Sequence, residues 1–200
     1  DAIGPLIDQT KKGDAGSTPD TVVFYSISNC HPGLAGVSFG NFLIKQVVEE
    51  VGKRYSTMKR YVTLSPIPGF CRWLATRETR IDLEEMRSMA KTDKAKTADF
   101  RERFQASVRR DDLLAACARY LVKERRGNLA LDPVARFHLG NGASLHAIHW
   151  AADLSDKGLE QSAGLMVNYL YDLRSIEENH DSYFDQGEIA TSRDVARLLN

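Results

Sequence analysis

The sequence predicts an α/β or α+β domain on two observations. Residues 21–54 pass from an uncharged run of β-branched and aromatic residues, through a glycine-rich stretch, to apolar residues three and four positions apart. That order is typical of a strand, a turn and an amphipathic helix. Strand-like runs recur at 61–64 and 164–171, and residues 79–127 between them have helical spacing. No internal repeat is evident, and 200 residues suffice for one domain.

Composition narrows the function classes. With 42% hydrophobic residues the chain can bury a core. The 27 basic and 27 acidic residues cancel, so no global field attracts nucleic acid or an anionic membrane, and any anion site must be local. No apolar run approaches the roughly 20 residues of a membrane span. The three cysteines form no C-x-x-C motif, which suits a reducing compartment.

The turn in the first segment is a candidate anion site. Gly33, Gly36 and Gly40 lie between the strand predicted at 21–28 and the helix that follows. The first turn of a helix has free N–H groups and the positive end of the dipole, and glycines let a phosphate approach the backbone. The spacing matches neither the Rossmann pattern nor the P-loop. The alternative is a tight connection that binds nothing.

Ser65 ends the second predicted strand, at 61–64, and a proline follows it. Pro68 and Gly69 then make a turn before a helix predicted at 70–77. The carboxyl ends of strands are where open α/β sheets place their ligands, so Ser65 is a candidate site residue. The alternative is a serine that caps a turn.

His138 belongs to a short predicted helix. Asp132 suits the N-cap, Pro133 the first helical position, and Gly140 the end. His138 then lies in the last turn, where the helix dipole favours a protonated ring that could act as a general acid. The alternative is a structural histidine held by hydrogen bonds.

The later segments are less informative. His146 and His149 are three apart, as on one helical face that could bind a metal, but no third ligand is evident and no metal is expected. The alternating run 164–171 predicts a strand with a tyrosine at its end. Residues 175–186 are interpreted as a polar loop. The run at 191–194 suggests a capping box that opens a terminal helix through 199.

Three stretches together resemble the catalytic domain of the malonyl-CoA decarboxylase family, in the same order and at comparable spacing. They are Phe24-Tyr-Ser-Ile-Ser with Gly33-Leu-Ala-Gly-Val-Ser-Phe-Gly-Asn-Phe-Leu-Ile-Lys, then Thr63-Leu-Ser-Pro-Ile-Pro-Gly-Phe, and Pro133-Val-Ala-Arg-Phe-His-Leu-Gly-Asn-Gly-Ala followed by Gly164-Leu-Met-Val-Asn-Tyr-Leu-Tyr. The resemblance runs from about residue 21 nearly to the end. Family members are longer, so it implies a flexible lead-in at 1–20 and, at 21–200, the C-terminal portion of a catalytic domain.

The resemblance implies a fold related to the GNAT acyltransferases, with a mixed central sheet flanked by helices. The family's catalytic serine and histidine fall on Ser65 and His138, which also contact substrate, and a tyrosine lining the site falls on Tyr171. Ser38 stands where some members carry an acidic residue. The turn that holds CoA in that superfamily corresponds to Ala35, Gly36, Val37, Ser38, Phe39, Gly40 and Asn41.

The activity implied is decarboxylation of malonyl-CoA to acetyl-CoA and carbon dioxide, without a cofactor, in fatty-acid and malonate metabolism. His138 would donate a proton to the enolate, with Ser65 as its partner. The resemblance also suggests a homo-oligomer, in a bacterial cytoplasm or, in a eukaryote, in mitochondria or peroxisomes. The alternatives are an acyl-CoA-dependent acyltransferase and a non-catalytic CoA-binding module.

Overall fold

The structure is a computed structural model that describes residues 18–27, 40–77, 81–85, 88 and 109–200. The lead-in predicted at 1–20 lies outside these ranges up to residue 17, as do Gly33 and Gly36 of the candidate anion turn. The helix predicted after that turn is present and begins at Gly40.

The described residues form both strands and helices, interspersed along the chain. The strands are β1 (Thr21–Tyr25), β2 (Arg60–Leu64), β3 (Arg125–Arg126), β4 (Leu129–Ala130), β5 (Ser144–His149) and β6 (Met166–Leu170). The helices are α1 (Gly40–Arg54), α2 (Phe70–Leu74), α3 (Arg110–Lys123), α4 (Pro133–Gly140), α5 (Asp156–Ser162), α6 (Ile176–Gln186) and α7 (Arg193–Arg197).

Four strands form a mixed sheet in the order β1-β2-β6-β5. The first two strands are parallel, and the β2–β6 and β5–β6 pairs are antiparallel. The free edge of β5 is extended by the C-terminal segment, through a parallel bridge between Leu145 and Thr191. The β3–β4 pair is a separate hairpin. The sequence prediction of an α/β or α+β domain and of a mixed sheet flanked by helices is confirmed.

The core is aromatic and aliphatic. The largest fully buried side chains are Tyr169, Tyr171, Tyr183, Phe70, Ile67, Leu74, Leu113, Leu121, Leu145 and Leu165. On one side of the core, α2 packs against α3 through the ring of Trp73, which lies 5.2 Å from the ring of Tyr120. The guanidinium of Arg77 covers Trp73 at 5.1 Å from the ring centroid. Together these contacts fix the segment that follows β2.

The structure corrects three local predictions. Residues 175–186 are not a loop, since α6 occupies them: Ile176 and Tyr183, two helical turns apart, are both buried. His146 and His149 lie on strand β5, with a β-bulge between its Leu145 and Ala147 pairings, and not on a helix. The terminal helix is capped by Ser192 and ends at Arg197, earlier than predicted.

Candidate active site

Ser65 follows β2 directly, as the strand prediction required. Its backbone N–H and C=O exchange two hydrogen bonds of 2.9 Å with Val167 of β6. The residue is therefore held by the two central strands of the sheet. The residue is 4% exposed.

His138 lies in the last turn of α4, as predicted. The side chain of Asp132 caps this helix by accepting the N–H groups of Val134 and Ala135, and Pro133 takes the first helical position. The packing of α4 against the sheet leaves His138 only 3% exposed. The N-cap Asp132 and Pro133, both recognisable in the sequence, thus begin the helix that places His138 in the core.

Ser65, His138 and Tyr171 form a continuous hydrogen-bonded chain. The Oγ of Ser65 lies 3.1 Å from Nε2 of His138, and the hydroxyl of Tyr171 lies 2.8 Å from Nδ1. The structure therefore brings together the three residues that the resemblance singled out. They come from separate elements: the end of β2, the end of α4 and the residue after β6.

Thr63 extends the chain, and no role for it was predicted. The Oγ of Ser65 lies 2.9 Å from Oγ1 of Thr63, and Oγ1 of Thr63 also accepts the N–H of Tyr169 at 3.3 Å. In a neutral imidazole one nitrogen donates and the other accepts. Because a hydroxyl can donate or accept, the hydroxyls of Ser65 and Tyr171 satisfy either tautomer of His138. The signal in the sequence is the hydroxyl two positions before Ser65, on the same strand face.

The contact with His138 bears on the chemistry of Ser65. A serine nucleophile gives its proton to the neighbouring base. Nε2 of His138 lies 3.1 Å from Oγ of Ser65, so the two groups can exchange a hydrogen bond in either direction. Ser65 is thus placed as a hydrogen-bonding partner of the histidine.

The protonation state expected of His138 is corrected by its surroundings. Burial lowers the pKa of His138 to about 4, so the ring is neutral at pH 7. One of its faces stacks on Tyr169, with 4.5 Å between centroids and 24° between planes. The helix dipole favours the cation, but desolvation of a charge outweighs it. Burial likewise raises the pKa of Tyr171, which stays a hydroxyl.

A second polar group adjoins Thr63. The side-chain amide of Asn168 donates to the carbonyl of Thr63, and its oxygen accepts from Nε2 of His149. His149 is thus engaged by a neighbouring strand. Among the residues that the structure describes, no three His, Cys, Asp or Glu side chains come together as a metal site.

The candidate CoA turn falls mostly outside the described ranges. Ala35, Gly36, Val37, Ser38 and Phe39 all lie there, and Gly40 and Asn41 are the first residues of α1. Its role therefore stays a prediction. No helix within the described ranges is long and apolar enough to cross a membrane.

Solved structures similar to this chain include malonyl-CoA decarboxylases. The enzyme from Rhodopseudomonas palustris matches with a TM-score of 0.79 at 44% identity, over 98% of this chain and 46% of that one. The enzyme from Agrobacterium vitis matches with a TM-score of 0.78 at 42% identity, over 100% and 50%. The described residues are thus a mixed α/β domain of the kind that these enzymes contain.

Sequence comparisons name the same family. Residues 1–200 match the family model of the malonyl-CoA decarboxylase C-terminal domain. The mitochondrial malonyl-CoA decarboxylases of Anser anser anser and Rattus norvegicus are 36% and 38% identical over 90% and 88% of this chain. This chain belongs to the malonyl-CoA decarboxylase C-terminal domain family. It spans 40% of the length of those two relatives and about half of the solved structures.

Proposed function

We propose that this chain carries the catalytic residues of a malonyl-CoA decarboxylase, which converts malonyl-CoA to acetyl-CoA and carbon dioxide. The observation that carries the proposal is the buried hydrogen-bonded network of Ser65, His138 and Tyr171, in which a hydroxyl contacts each ring nitrogen of His138. Membership of the family supports the reaction class.

The neutral ring can still supply the proton that the reaction consumes. The carboxylate of malonyl-CoA, bound beside His138, would raise the pKa of the ring, because an opposite charge favours the cation. The ring then takes up one proton from solvent. Hydroxyls both donate and accept, so Ser65 and Tyr171 can accept the two N–H groups of the protonated ring. Binding of the substrate thereby protonates the group that later acts as the general acid.

The chemical step breaks the bond between the α-carbon and the carboxylate. The electron pair moves toward the thioester carbonyl as an enolate, and carbon dioxide leaves. The proton on Nε2 of His138 is transferred to the α-carbon, which gives acetyl-CoA and leaves a neutral ring with its remaining proton on Nδ1. One proton is consumed per turnover, in balance with one carboxylate lost.

Ser65 would hydrogen-bond the malonyl carboxylate or orient His138. Its contacts with Thr63 and His138 suit either role. Tyr171 would support the ring from Nδ1. An acyl-enzyme on Ser65 is not needed, because decarboxylation transfers no acyl group.

The glycine-rich turn before α1 would bind the CoA pyrophosphate, and the fold would be related to the GNAT acyltransferases. Backbone N–H groups of residues 35–41 are the candidates for that contact and for stabilising the enolate oxygen. The proposed enzyme needs no organic cofactor or metal, since the thioester itself accepts the electron pair. We further propose that the enzyme is a homo-oligomer, in a bacterial cytoplasm or, in a eukaryote, in mitochondria or peroxisomes.

The first experiment incubates the protein with malonyl-CoA and separates the CoA species. We expect acetyl-CoA from the wild type. His138→Gln should reduce its formation about 100- to 10,000-fold, the range for losing a general acid, while CoA binding measured by calorimetry changes little. His146→Ala is the matched control, because His146 is a half-buried histidine of β5 whose charged neighbours are Arg60, His149 and Asp194.

The outcomes separate the alternatives. Equal losses of turnover and CoA binding in His138→Gln would assign His138 a structural role. Release of free CoA only when an amine acceptor is present would identify an acyltransferase. Because the chain spans about half of its solved relatives, the assay is repeated with a longer chain if no acetyl-CoA forms. Binding without turnover in the longer chain would favour a non-catalytic module.

A further inference from the structure

Asp132 does more than cap the helix that carries His138. Its carboxylate is 1% exposed and accepts four hydrogen bonds. Oδ1 accepts the N–H groups of Val134 and Ala135, at 2.9 and 3.0 Å. Those two bonds are the cap, and they leave the second oxygen free to bind a different part of the chain.

The second oxygen reaches the segment that follows Ser65. Oδ2 of Asp132 accepts the N–H of Gly69 at 3.4 Å and the hydroxyl of Tyr120 at 3.3 Å. Gly69 is the N-cap residue of α2, four residues after Ser65. A Cβ at this position would lie 2.1 Å from the hydroxyl oxygen of Tyr120, so a larger residue would displace the hydroxyl that bonds to this carboxylate. The carboxylate thus joins the start of α4 to the turn after β2.

These bonds close a ring of contacts around the site. One arm runs from Asp132 along α4 to His138, six residues or about 9 Å of helix. The other runs from Gly69 back to Ser65. The two arms meet in the 3.1 Å contact between Ser65 and His138. A change in the length of the hydrogen bonds that Asp132 accepts would therefore change the position of His138 relative to Ser65.

We infer that Asp132 is a positioning residue for the Ser65–His138 pair, acting through the divided use of its two carboxylate oxygens. Its effect on catalysis rests on the proposed function, but its effect on the geometry of the pair does not. Displacing a catalytic group by about 1 Å can reduce a rate about 100-fold.

Asp132→Asn separates the two tasks of the side chain. The amide oxygen can still cap α4, whereas the amide nitrogen places a donor opposite the N–H of Gly69. The matched control is Ser192→Ala, which removes the N-cap bond to Val195 at the start of α7, a helix that carries none of the three site residues. Tyr120→Phe removes one donor to the same oxygen and keeps the carboxylate.

The readout that does not depend on activity is the imidazole ¹⁵N spectrum. The chain has five histidines, and the signals missing from His138→Gln identify His138. We expect Asp132→Asn to move the Nδ1 and Nε2 signals of His138 toward those of a ring exchanging between tautomers, and Ser192→Ala to leave them in place. We also expect kcat to fall about 10- to 100-fold with a much smaller change in KM.

Unchanged His138 signals in a folded Asp132→Asn protein would overturn the inference. If Asp132→Asn does not fold, Tyr120→Phe decides: a shift of the same signals supports the inference, and unchanged signals refute it. Absence of decarboxylation in the wild type, with the spectral effect intact, would instead count against the proposed function alone.

Discussion

The charge of His138 is decided by competing local and tertiary effects. The helix end offers the cation about 0.3–1 kcal/mol at an exposed surface. Enclosure by the sheet and the ring of Tyr169 removes the water that a charge needs, and the pKa falls to about 4. The larger effect is desolvation, so the free site holds a neutral ring.

Stability should depend on pH through His138. The folded pKa of about 4 lies below the unfolded value of 6.5, so between these values the unfolded chain binds a proton that the folded chain does not. The contribution is fully present above pH 6.5 and is lost as the pH falls toward 4. It amounts to the order of 3 kcal/mol.

Urea denaturation at several pH values checks this. His138→Gln keeps a polar side chain but cannot titrate, so its free energy of unfolding should decline less than that of the wild type between pH 6.5 and 4. Parallel declines in the two proteins would show that other groups dominate this range.

For single residues, the sequence predicted which residues form the site better than it predicted the protonation state of His138. Ser65 and His138 stand in recognisable motifs, but they are 73 positions apart, and only the resemblance grouped them with Tyr171. The neutral ring was not predicted, because the dipole is a property of one helix and burial is a property of the whole fold. Thr63 was overlooked for the same reason: its importance lies in its contact with Ser65.

The helix α4 is held at both ends by other elements. Asp132 fixes its start, and α6 fixes its end: His180 donates to the carbonyl of Gly140 at 2.7 Å, and Asn179 to that of Gly142 at 3.1 Å. Carbonyls at helix ends lack internal partners, so these bonds satisfy them. The arrangement keeps His138 at one position along the axis.

Gly142 should be sensitive to a single added methyl group. Its φ is +76°, and a Cβ there would lie 2.0 Å from the carbonyl oxygen of Ile176. Gly142→Ala should reduce the free energy of unfolding by about 3–5 kcal/mol, from the left-handed backbone and the clash together.

Gly127→Ala is the matched control, because Gly127 has a φ of +63° and open space around it. This variant should lose only about 1–2 kcal/mol. Urea unfolding of both proteins measures the difference, and equal losses would mean that α6 moves aside without cost.

Prediction of strands and helices succeeded where apolar residues recur with a clear period. It failed where a helix buries few of its residues. The strands near 61–64 and 164–171 and the helix begun by Asp132 are present. The helix α6 was mistaken for a loop because most of its residues are polar. Two of its polar side chains, those of Asn179 and His180, are used to hold α4, and such a use cannot be seen in a single segment.

For the molecule as a whole, the order of strands sets a gradient of stability. Strands β2 and β6 are central and pair on both sides, whereas β1 pairs with β2 and, within the described ranges, with no other strand. Val167 and Tyr169 of β6 are fully buried, while the residues of β1 are half-buried or exposed. Local opening should therefore begin at β1.

Hydrogen exchange tests this gradient. Hydrogen-bonded amides of β1 should exchange at least about 100-fold faster than those of β6, corresponding to a difference of about 3 kcal/mol in opening free energy. A longer chain of the family is the comparison: if β1 gains a neighbour there, its exchange should slow while that of β6 stays the same. Uniform exchange across the sheet would indicate a single cooperative unit.

Because Trp73 packs on Tyr120, Trp73 is an intrinsic fluorescence probe of the contact between α2 and α3. Tyr120 is the residue whose hydroxyl bonds to Asp132, and Arg77 covers the other partner, Trp73. Indole emission responds to the polarity and motion of its immediate neighbours. In the Trp150→Phe variant, Trp73 is the single tryptophan of the sequence. A shift in its emission wavelength would report displacement of α3 against α2. Stopped-flow mixing would follow that displacement in time without an added label.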